Sequence, residues 1–355
     1  MISQRKQFVE NILNSEGLDA LLVFGLPNIR YLCGFTGTDG VLYVGKNESV
    51  FLTDPRYVEQ AEKQVNSDRV ICYKNKVAAV GDLLKDLSTN RVGFDAQVVN
   101  VALYQQLQQL SDTLDWQPIT EPLSPLRGIK SADEITLLKK SADLNSKAFN
   151  AVFPTISKGM SERDISLALE FELKRLGGEE NAFDFIVASG PRGALPHGVA
   201  SHKVLEDGEL VTIDFGTRVG GYHSDETVTF AIGAVDGNLR QIFDIVLEAH
   251  DSAIKAVRPG LSIADLDAVA RDYITAQGFG EYFSHGLGHG VGLEIHEYPG
   301  VSSRSDVILA QGMVITIEPG IYLPTVGGVR IEDTVVVTAD GCEVLTSIPK
   351  QFRQL

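Results

Sequence analysis

The stretch 211–230, VTIDFGTRVGGYHSDETVTF, decides how the second part of the chain folds. An apolar run ends in Asp214, a glycine-rich segment predicts a tight reversal, and a second alternating run begins near Tyr222. Because successive side chains of a strand point to opposite faces, Asp225 and Thr227 share one face of the second strand. If the two strands pair, Asp214 and Asp225 converge on one point.

Two carboxylates that converge on a buried sheet need a positive neighbour. Unpaired, they would repel each other, and their removal from water would cost a large desolvation free energy. Either a basic side chain or a cation must therefore lie between Asp214 and Asp225. The alternative, two solvent-exposed turn aspartates, fits poorly because both residues lie inside apolar, β-branched runs.

Length and charge limit the class of protein. The 355 residues exceed what one ordinary core holds and predict two domains. The formal net charge of −16 argues against a nucleic-acid partner, because no basic stripe offsets it. No apolar run is long enough to predict a membrane span, and the N-terminal segment lacks the apolar core of a signal peptide. We therefore expect a cytoplasmic protein with no membrane partner.

The cysteines predict neither a disulfide framework nor a zinc site. Cys33, Cys72 and Cys342 are odd in number, lie far apart and form no C-x-x-C pair. This usage is typical of a reducing compartment, in which free cysteines act as small buried hydrophobic residues.

Residues 1–120 alternate predicted helices and strands, which is typical of an α/β domain with a mixed sheet. Pro27 and Asn28 predict a turn within this domain. The glycine patterns of dinucleotide-binding folds and of P-loops do not occur, and no catalytic or binding site is predicted in this domain.

A cluster of prolines separates the two domains. It lies between positions 118 and 125 and predicts a stiff, extended connector, so residues 121–130 are interpreted as a linker. The second domain, residues 131–355, opens with a capping box formed by Ser131 and Glu134, ahead of a long helix. Its helices and strands are followed by further strands and glycine-rich turns, which indicates an α+β domain.

The second domain also holds all seven histidines and further carboxylates typical of a metal site. The segments are PHG with His197, SHGLGHGVGLEIHE with His285, His289 and His296, TIEPGIY with Glu318, and VRIEDTVVV with Arg330 and Glu332. Carboxylate oxygens with a neutral imidazole suit Mn²⁺, Co²⁺, Fe²⁺ or Zn²⁺. Four carboxylates in apolar strands balance the charge of two divalent cations. Taken singly, each carboxylate fits equally well a salt bridge to Arg330 or Arg218, or exposure to solvent.

The motifs DFG…SDxT, HGxGHxxGxxxHE, xxEPGxY and VRIEDT together resemble the metal-dependent pita-bread peptidases, which include Xaa-Pro aminopeptidases (aminopeptidase P) and prolidases. The resemblance implies a pita-bread catalytic domain over residues 131–355 and a creatinase-like N-terminal domain over residues 1–120. The implied metal ligands are Asp214, Asp225, His289, Glu318 and Glu332. The implied substrate-contacting or supporting residues are His197, His285, His296 and Arg330. The remaining histidines, His202, His223 and His250, are interpreted as surface or packing residues.

The resemblance implies hydrolysis of the Xaa-Pro bond at the N-terminus of peptides, by attack of a hydroxide that bridges two divalent ions. Manganese is favoured, with cobalt, zinc or iron as alternatives. Glu318 is the predicted proton shuttle, and His197 and His296 are predicted to stabilise the tetrahedral intermediate. Arg330 either contacts substrate or pairs with a ligand carboxylate. Proline-containing peptides and a second copy of the chain, in a homodimer, are the implied partners; a non-catalytic peptide-binding protein is the low-ranked alternative.

The chain departs from the pattern of its relatives at three positions. Many relatives read SDxTRT after the hairpin, whereas this chain has Glu226 and Val228 in that segment. Both are predicted to face away from Asp225, which leaves the metal site intact. Many prolidases carry an arginine where this chain has Gly300, and that arginine can bind the free carboxylate of a dipeptide. The glycine favours an aminopeptidase, with a dipeptidase as the alternative.

Overall fold

The computed structural model describes residues 3–355 of the chain. The chain divides into two compact units, the first ending at Arg127 and the second spanning Gly128–Leu355. The division falls within the segment 121–130 that the sequence predicts to be a linker.

The first unit alternates helices and strands. Its helices are α1 (Ser3–Ser15), α2 (Leu26–Cys33), α3 (Val58–Gln64), α4 (Lys76–Asp86), α5 (Val101–Gln108) and α6 (Ser124–Gly128), which crosses into the second unit. Its strands are β1 (Ala20–Val23), β2 (Val41–Gly45), β3 (Ser49–Thr53), β4 (Arg69–Cys72), β5 (Arg91–Asp95) and β6 (Asp115–Ile119).

The six strands form one sheet in the order β4-β3-β2-β1-β5-β6. Strand β2 is antiparallel to both β1 and β3, and the other neighbours are parallel. Strands β1, β2 and β3 are buried along their whole length, as expected for a sheet covered on both faces. The predicted α/β domain with a mixed sheet is confirmed.

Prolines explain two local differences from the sequence predictions. Pro27 does not form a turn but lies in the first turn of α2, where the missing N–H group is not needed by the helix. Pro125 lies in the first turn of α6, so part of the predicted extended connector is helical for the same reason. A third difference concerns Cys72, which is exposed rather than buried, although all three cysteines are free as predicted.

The second unit contains four long helices and the remaining strands. Its helices are α7 (Ala132–Val152), α8 (Glu162–Arg175), α9 (Gly237–Ala256) and α10 (Ile263–Ala276). Its strands are β7 (Ile186–Ser189), β8 (Glu209–Phe215), β9 (Arg218–Val219), β10 (Tyr222–His223), β11 (Glu226–Ile232), β12 (Gly288–Gly290), β13 (Glu297–Val301), β14 (Val314–Ile317), β15 (Gly320–Leu323), β16 (Gly327–Arg330), β17 (Asp333–Val337) and β18 (Cys342–Val344).

Two cores organise this unit. Helices α7 and α8 pack on the sheet β11-β8-β7, and their shared core includes Phe149, Leu169 and Phe215. Helices α9 and α10 pack with the sheet β13-β12-β14-β17-β18 around a core that includes Phe243 and Ile315. The α+β prediction is confirmed. Among the helices of residues 3–355, none is both long and apolar enough to span a bilayer.

The predicted hairpin forms between β8 and β11, which pair antiparallel with Asp214 opposite Thr227. The short strands β9 and β10 lie between them and form their own two-stranded ladder. Gly216 is required where the chain leaves β8, because a Cβ atom there would lie 1.9 Å from the carbonyl oxygen of Ser224. This close approach brings Asp225 back beside the strand that carries Asp214.

Candidate metal centre

Every side chain predicted from the sequence to bind metal or substrate lines a single cavity of about 460 Å³ in the second unit. These residues are His197, Asp214, Asp225, His285, His289, His296, Glu318, Arg330 and Glu332. They come from segments up to 135 positions apart in the chain, and the fold brings them together.

Strand ends position the acidic side chains. Asp214 lies in β8, Asp225 immediately precedes β11, Glu318 follows β14, and Glu332 immediately precedes β17. His289 is the central residue of β12, a strand that pairs with both β13 and β14. Backbone ladders on both sides make these positions rigid, which is what a metal site requires of its ligands.

Three of these residues, Asp225, His289 and Glu332, offer ligand atoms that all lie within 4.8 Å of one another. His289 Nδ1 lies 3.1 Å from the carbonyl oxygen of Gly290, so it must donate its proton there. Burial lowers the pKa of His289, which keeps the ring neutral and leaves a bare lone pair on Nε2. That atom lies 3.3 Å from Glu318 Oε1 and 3.5 Å from Asp225 Oδ2. Acceptors facing acceptors at this distance repel each other unless a proton or a metal ion lies between them.

The carboxylates themselves show the same lack of positive charge. Burial, together with the negative charge of neighbouring carboxylates, raises the pKa of Asp225 and of Glu332 well above their usual range. Burial also raises the pKa of Glu318. Among the described residues, no hydrogen-bond partner reaches the buried oxygens Asp214 Oδ1 and Glu332 Oε1. The residues therefore fit divalent cations, which would relieve the repulsion and use the unpaired oxygens.

Threonine hydroxyls hold the other oxygens of two of these carboxylates. Thr227 donates to Glu332 Oε2 at 2.6 Å, and Thr316 donates to Glu318 Oε1 at 3.0 Å. The hydroxyl of Thr316 also accepts from the backbone N–H of His289 at 3.0 Å. One oxygen of each glutamate is thus fixed by the protein, which orients the second. Strand alternation predicts that Thr227 shares a face with Asp225, but it does not predict the hydrogen bond to Glu332, and no role was predicted for Thr316.

Arg330 pairs with a predicted ligand. Its guanidinium donates to Asp214 Oδ2 at 2.6 Å, to the carbonyl oxygen of Pro196 at 3.0 Å and to the hydroxyl of Tyr322 at 3.0 Å. The side chain is almost fully buried. Of the two roles left open by the sequence, the structure shows the pairing with a carboxylate.

Tyr322 is a further cavity residue, present in the quoted TIEPGIY motif but not predicted to belong to the site. Its hydroxyl lies 2.8 Å from His285 Nε2, whose other nitrogen, Nδ1, lies 2.8 Å from the carbonyl oxygen of Gly286. Since Nδ1 must donate to the carbonyl, Nε2 accepts from the tyrosine. The tyrosine therefore connects His285 to Arg330, and through it to Asp214.

The mouth of the cavity carries the exposed histidines His197 and His296. The ring of His296 stands edge-on to that of His289, with 4.2 Å between ring centroids, and burial together with His289 lowers its pKa. Both imidazoles are exposed, whereas His285 is half-buried in the same cavity. Phe183, Ile186 and Ile295 supply an apolar lining beside them.

A buried glutamate holds the loop that carries His197. Glu162, at the start of α8, accepts from the backbone N–H groups of Ser189 at 2.8 Å and of Ser201 at 3.1 Å. It also pairs with Arg192. The loop between the two serines is therefore anchored at both ends, and no local sequence signal indicated this anchor.

Comparison with known proteins agrees with the geometry. The profile of metallopeptidase family M24 matches residues 136–339, and that of the Creatinase/Prolidase N-terminal domain matches residues 5–129. The chain belongs to metallopeptidase family M24. Its first unit is accordingly a creatinase-like domain and its second a pita-bread domain, as the resemblance implied.

Relatives of this M24 chain match it over nearly its whole length. It is 36% identical to the Xaa-Pro dipeptidase of Pyrococcus furiosus, over 99% of this chain and 100% of the relative. The solved Xaa-Pro dipeptidase from Bacillus anthracis is 41% identical and superposes with a TM-score of 0.97 over 99% of both chains. The X-Pro aminopeptidase from Thermotoga maritima is 35% identical, with a TM-score of 0.89 over 98% of this chain and 99% of the other.

The departures within the hairpin have a clear structural outcome in this M24 fold. Glu226 and Val228 face away from the cavity, as predicted. Val228 is buried in the core under α7 and α8. Glu226 is also fully buried, and Lys350 Nζ lies 2.6 Å from its Oε1. No local sequence pattern predicts that Lys350 pairs with Glu226.

The three histidines interpreted as surface or packing residues fit that interpretation. His202 is exposed, whereas His223 is buried with Nδ1 3.0 Å from the carbonyl oxygen of Gly292. His250 is buried on α9, with Nε2 3.2 Å from Asp333 Oδ2. None of the three lines the cavity that holds the other histidines.

Proposed function

We propose that the chain is a metal-dependent Xaa-Pro dipeptidase, which hydrolyses the bond between the first residue and proline. The observation that carries this proposal is the buried group of carboxylates around the neutral imidazole of His289. The full-length relatives named Xaa-Pro dipeptidase favour this substrate over the aminopeptidase preference drawn from the sequence.

The five residues predicted as ligands are proposed to hold the metal ions. They are Asp214, Asp225, His289, Glu318 and Glu332. Two divalent cations bound by them would lower the pKa of a water molecule to near neutrality and polarise the scissile carbonyl. Manganese is the ion we propose first, with cobalt, zinc and iron as alternatives, because oxygen-rich sites with one imidazole accept all four.

The protein's own groups supply proton transfer and positioning. Glu318 lies at the end of a strand with one oxygen fixed by Thr316, so its other oxygen can take a proton from the attacking water. The same carboxyl would pass that proton to the leaving proline nitrogen. His197 and His296, at the mouth, would donate an N–H to the oxygen that becomes negative in the tetrahedral intermediate.

A second candidate, an Xaa-Pro aminopeptidase, is favoured by one residue. Gly300 lies opposite His289 in the ladder between β13 and β12, and a Cβ atom there would meet nothing within 4 Å. The position at which many prolidases carry a carboxylate-binding arginine is thus open space here. A longer peptide, which has no carboxylate at that point, would lose nothing by the absence of the arginine.

One experiment separates these proposals. Purified protein loaded with Mn²⁺ is given Ala-Pro and Ala-Pro-Ala, and release of alanine is measured for each peptide before and after chelation. A dipeptidase cleaves Ala-Pro with much the higher kcat/KM, whereas cleavage of the tripeptide alone would establish the aminopeptidase. If metal-dependent cleavage of both peptides is absent, the proposed function is wrong.

We also propose that the enzyme forms a homodimer, as the resemblance implies. Sedimentation equilibrium of the purified chain measures its mass directly. A mass near twice 38.5 kDa is expected, and a single species of 38.5 kDa at micromolar concentration would refute the dimer.

A further inference from the structure

Lys350 connects two strands of the second unit on the side away from the cavity. Its ammonium group is buried and lies 2.6 Å from Glu226 Oε1 and 3.1 Å from Asp333 Oδ1. Glu226 is the first residue of β11 and Asp333 the first residue of β17, and these strands belong to different sheets. Lys350 therefore adds an ionic tie between two strand ends that are otherwise joined by the backbone N–H of Glu332 donating to the carbonyl oxygen of Thr227 at 3.2 Å and by the hydroxyl of Thr334 donating to the carbonyl oxygen of Asp225 at 2.9 Å.

Each carboxylate held by Lys350 is the immediate neighbour of a proposed metal ligand. Asp225 precedes Glu226, and Glu332 precedes Asp333. Because neighbouring side chains of an extended chain point to opposite sides, the two ligands face the cavity while their neighbours face the lysine. The separation of Asp225 and Glu332 is consequently set by the same two strand ends that Lys350 holds together.

The chain segment around Lys350 is itself fixed to both strands. The backbone N–H of Ile348 donates to Glu226 Oε1 at 2.9 Å, and the hydroxyl of Thr346 donates to Asp333 Oδ1 at 2.6 Å. Farther along, the N–H of Leu355 donates to the carbonyl oxygen of Ala231 in β11 at 3.0 Å. The position of the ammonium group thus depends on docking of the C-terminal segment 345–355.

The positive charge of Lys350 matters as well as its packing. Without it, the buried carboxylates of Glu226 and Asp333 would keep their neutral donors, the N–H of Ile348 and the hydroxyl of Thr346, and Asp333 would keep His250, but both would lose their ammonium partner. Without the lysine, the two buried carboxylates would either repel each other or take up a proton, and in both cases the attraction that draws the two strand ends together is lost. The hydroxyl of Thr227 and its partner Glu332 would then lose their alignment.

We propose that Lys350 is a positioning residue: by bridging Glu226 and Asp333 it holds Asp225 and Glu332 at the separation that binding of divalent cations requires. The affinity for metal is therefore coupled to docking of the C-terminal segment. This inference rests on the metal site of the proposed function.

The test is a direct measurement of Mn²⁺ binding by titration calorimetry on the full-length chain, first depleted of metal. Lys350→Met keeps the length and the apolar part of the side chain but removes the charge. We expect its affinity for Mn²⁺ to fall by roughly 10- to 100-fold, as is typical when groups supporting metal ligands are lost. Saturating Mn²⁺ should restore kcat, whereas far-UV circular dichroism should show an intact fold.

Two further variants serve as controls. Lys203→Met removes another ion pair of the same unit, a more exposed one in which Lys203 Nζ lies 2.7 Å from Glu209 Oε2, and Glu209 has no proposed ligand beside it. Its affinity for Mn²⁺ should be unchanged. Lys350→Arg keeps the positive charge and should retain an affinity close to that of the parent chain.

The outcomes are distinct. If folded Lys350→Met binds Mn²⁺ as tightly as the parent chain, or if Lys203→Met loses as much affinity, the positioning role is refuted. If Lys350→Met does not fold, Glu226→Gln gives the same test, because it weakens the tie to β11 and leaves Asp333 paired. Parent-level affinity in that folded variant would also refute the role. A parent chain that binds no Mn²⁺ and cleaves no Xaa-Pro peptide would instead refute the proposed function.

Discussion

The two sides of the same strand ends bury carboxylates in opposite ways. On the cavity side, Asp225 and Glu332 face a neutral imidazole, and their pKa values are raised well above the usual range by burial and mutual repulsion. On the reverse side, Glu226 and Asp333 face the ammonium of Lys350. Glu226 and Asp333 thus have a cation from the chain itself, Lys350, between them, whereas Asp225 and Glu332 do not.

The pKa values on the reverse side show what the lysine achieves. Burial disfavours the charged form of Asp333, but Lys350 and His250 outweigh it and lower the pKa of that carboxyl. For Glu226 burial prevails, and its pKa is raised to about 7. Burial likewise opposes the charge of Lys350, yet its two carboxylate partners raise its pKa. The partners on this side lie within the chain itself, which makes the cluster structural.

On the cavity side, Asp225 and Glu332 have no lysine of this kind. Among the described residues that line the cavity, Arg330 is the single guanidinium or ammonium group, and it is already paired with Asp214. A pattern of buried carboxylates with an internal cation thus indicates structure, and the same pattern without one indicates a site for an external cation.

The strongest test compares neighbouring residues. Asp225→Asn or Glu332→Gln removes a proposed ligand charge, whereas Glu226→Gln, one position along, removes a charge that only supports the ligands from the reverse side. In the ligand variants the peptidase activity should fall by more than the roughly 10- to 100-fold typical of residues that merely support a metal ligand. Their bound metal, measured by mass spectrometry, should fall as well. Full activity in either ligand variant would remove that residue from the ligand set.

Removing the internal cation should destabilise the fold. Lys350→Met breaks a buried ion pair while leaving both carboxylates, a change that typically costs about 3–5 kcal/mol. Urea unfolding of the metal-free chain measures this loss. Adding Glu226→Gln to the same variant removes one of the stranded charges and should recover part of it. A loss below about 1 kcal/mol in the single variant would show that water reaches the carboxylates and that the cluster is not a closed structural unit.

Removing the external cations should also destabilise the fold, and the effect should grow with pH. In the metal-free chain the folded pKa values of Asp225 and Glu332 lie above their unfolded values. The fold therefore loses stability as pH rises from the unfolded pKa values through the folded ones, and it regains that stability as pH falls back through this range and the carboxyls take up protons. Metal binding needs the ionised ligands and strengthens as pH rises. At 100 times the dissociation constant, it contributes about 2.7 kcal/mol.

The measurement is the difference in thermal midpoint between loaded and chelated protein across pH 5 to 8. Glu226 and His250 titrate in both forms, so their contributions cancel in the difference. A difference that shrinks as pH rises would contradict the assignment of the cavity carboxylates as ligands.

The sequence predicted the cavity side far better than the reverse side. Carboxylates inside apolar strands, such as Asp214 and Glu332, are locally anomalous, and strand alternation alone places them on a common face. Lys350 carries no such signal, because it lies near the end of the chain, 124 residues from Glu226. A pairing over that distance is decided by how the C-terminal segment docks on β11, which no local pattern encodes.

Local structure was likewise predicted where its hydrogen bonds lie within neighbouring residues, and missed where distant packing decides it. The capping box at Ser131 and Glu134 was predicted because its hydrogen bonds lie within one helical turn, and it forms. Pro27 was misassigned to a turn because proline is equally suited to a first helical turn, and tertiary packing decides between the two. Gly300 presents a similar limit: its identity is plain, but its effect depends on the substrate.

Gly300 gives the smallest expected effect and sharpens the contrast to a question of specificity. Gly300→Arg adds a cation beside the cavity, as Lys350 does on the reverse side, but in an exposed position. An exposed ion pair contributes up to about 1 kcal/mol, so the ratio of kcat/KM for Ala-Pro over Ala-Pro-Ala should rise by roughly fivefold. Gly300→Ala is the matched control, since a Cβ atom there meets nothing within 4 Å. An equal rise with alanine would mean that backbone stiffening, rather than charge, sets the preference; an unchanged ratio with arginine would mean that the dipeptide carboxylate is bound elsewhere in the cavity.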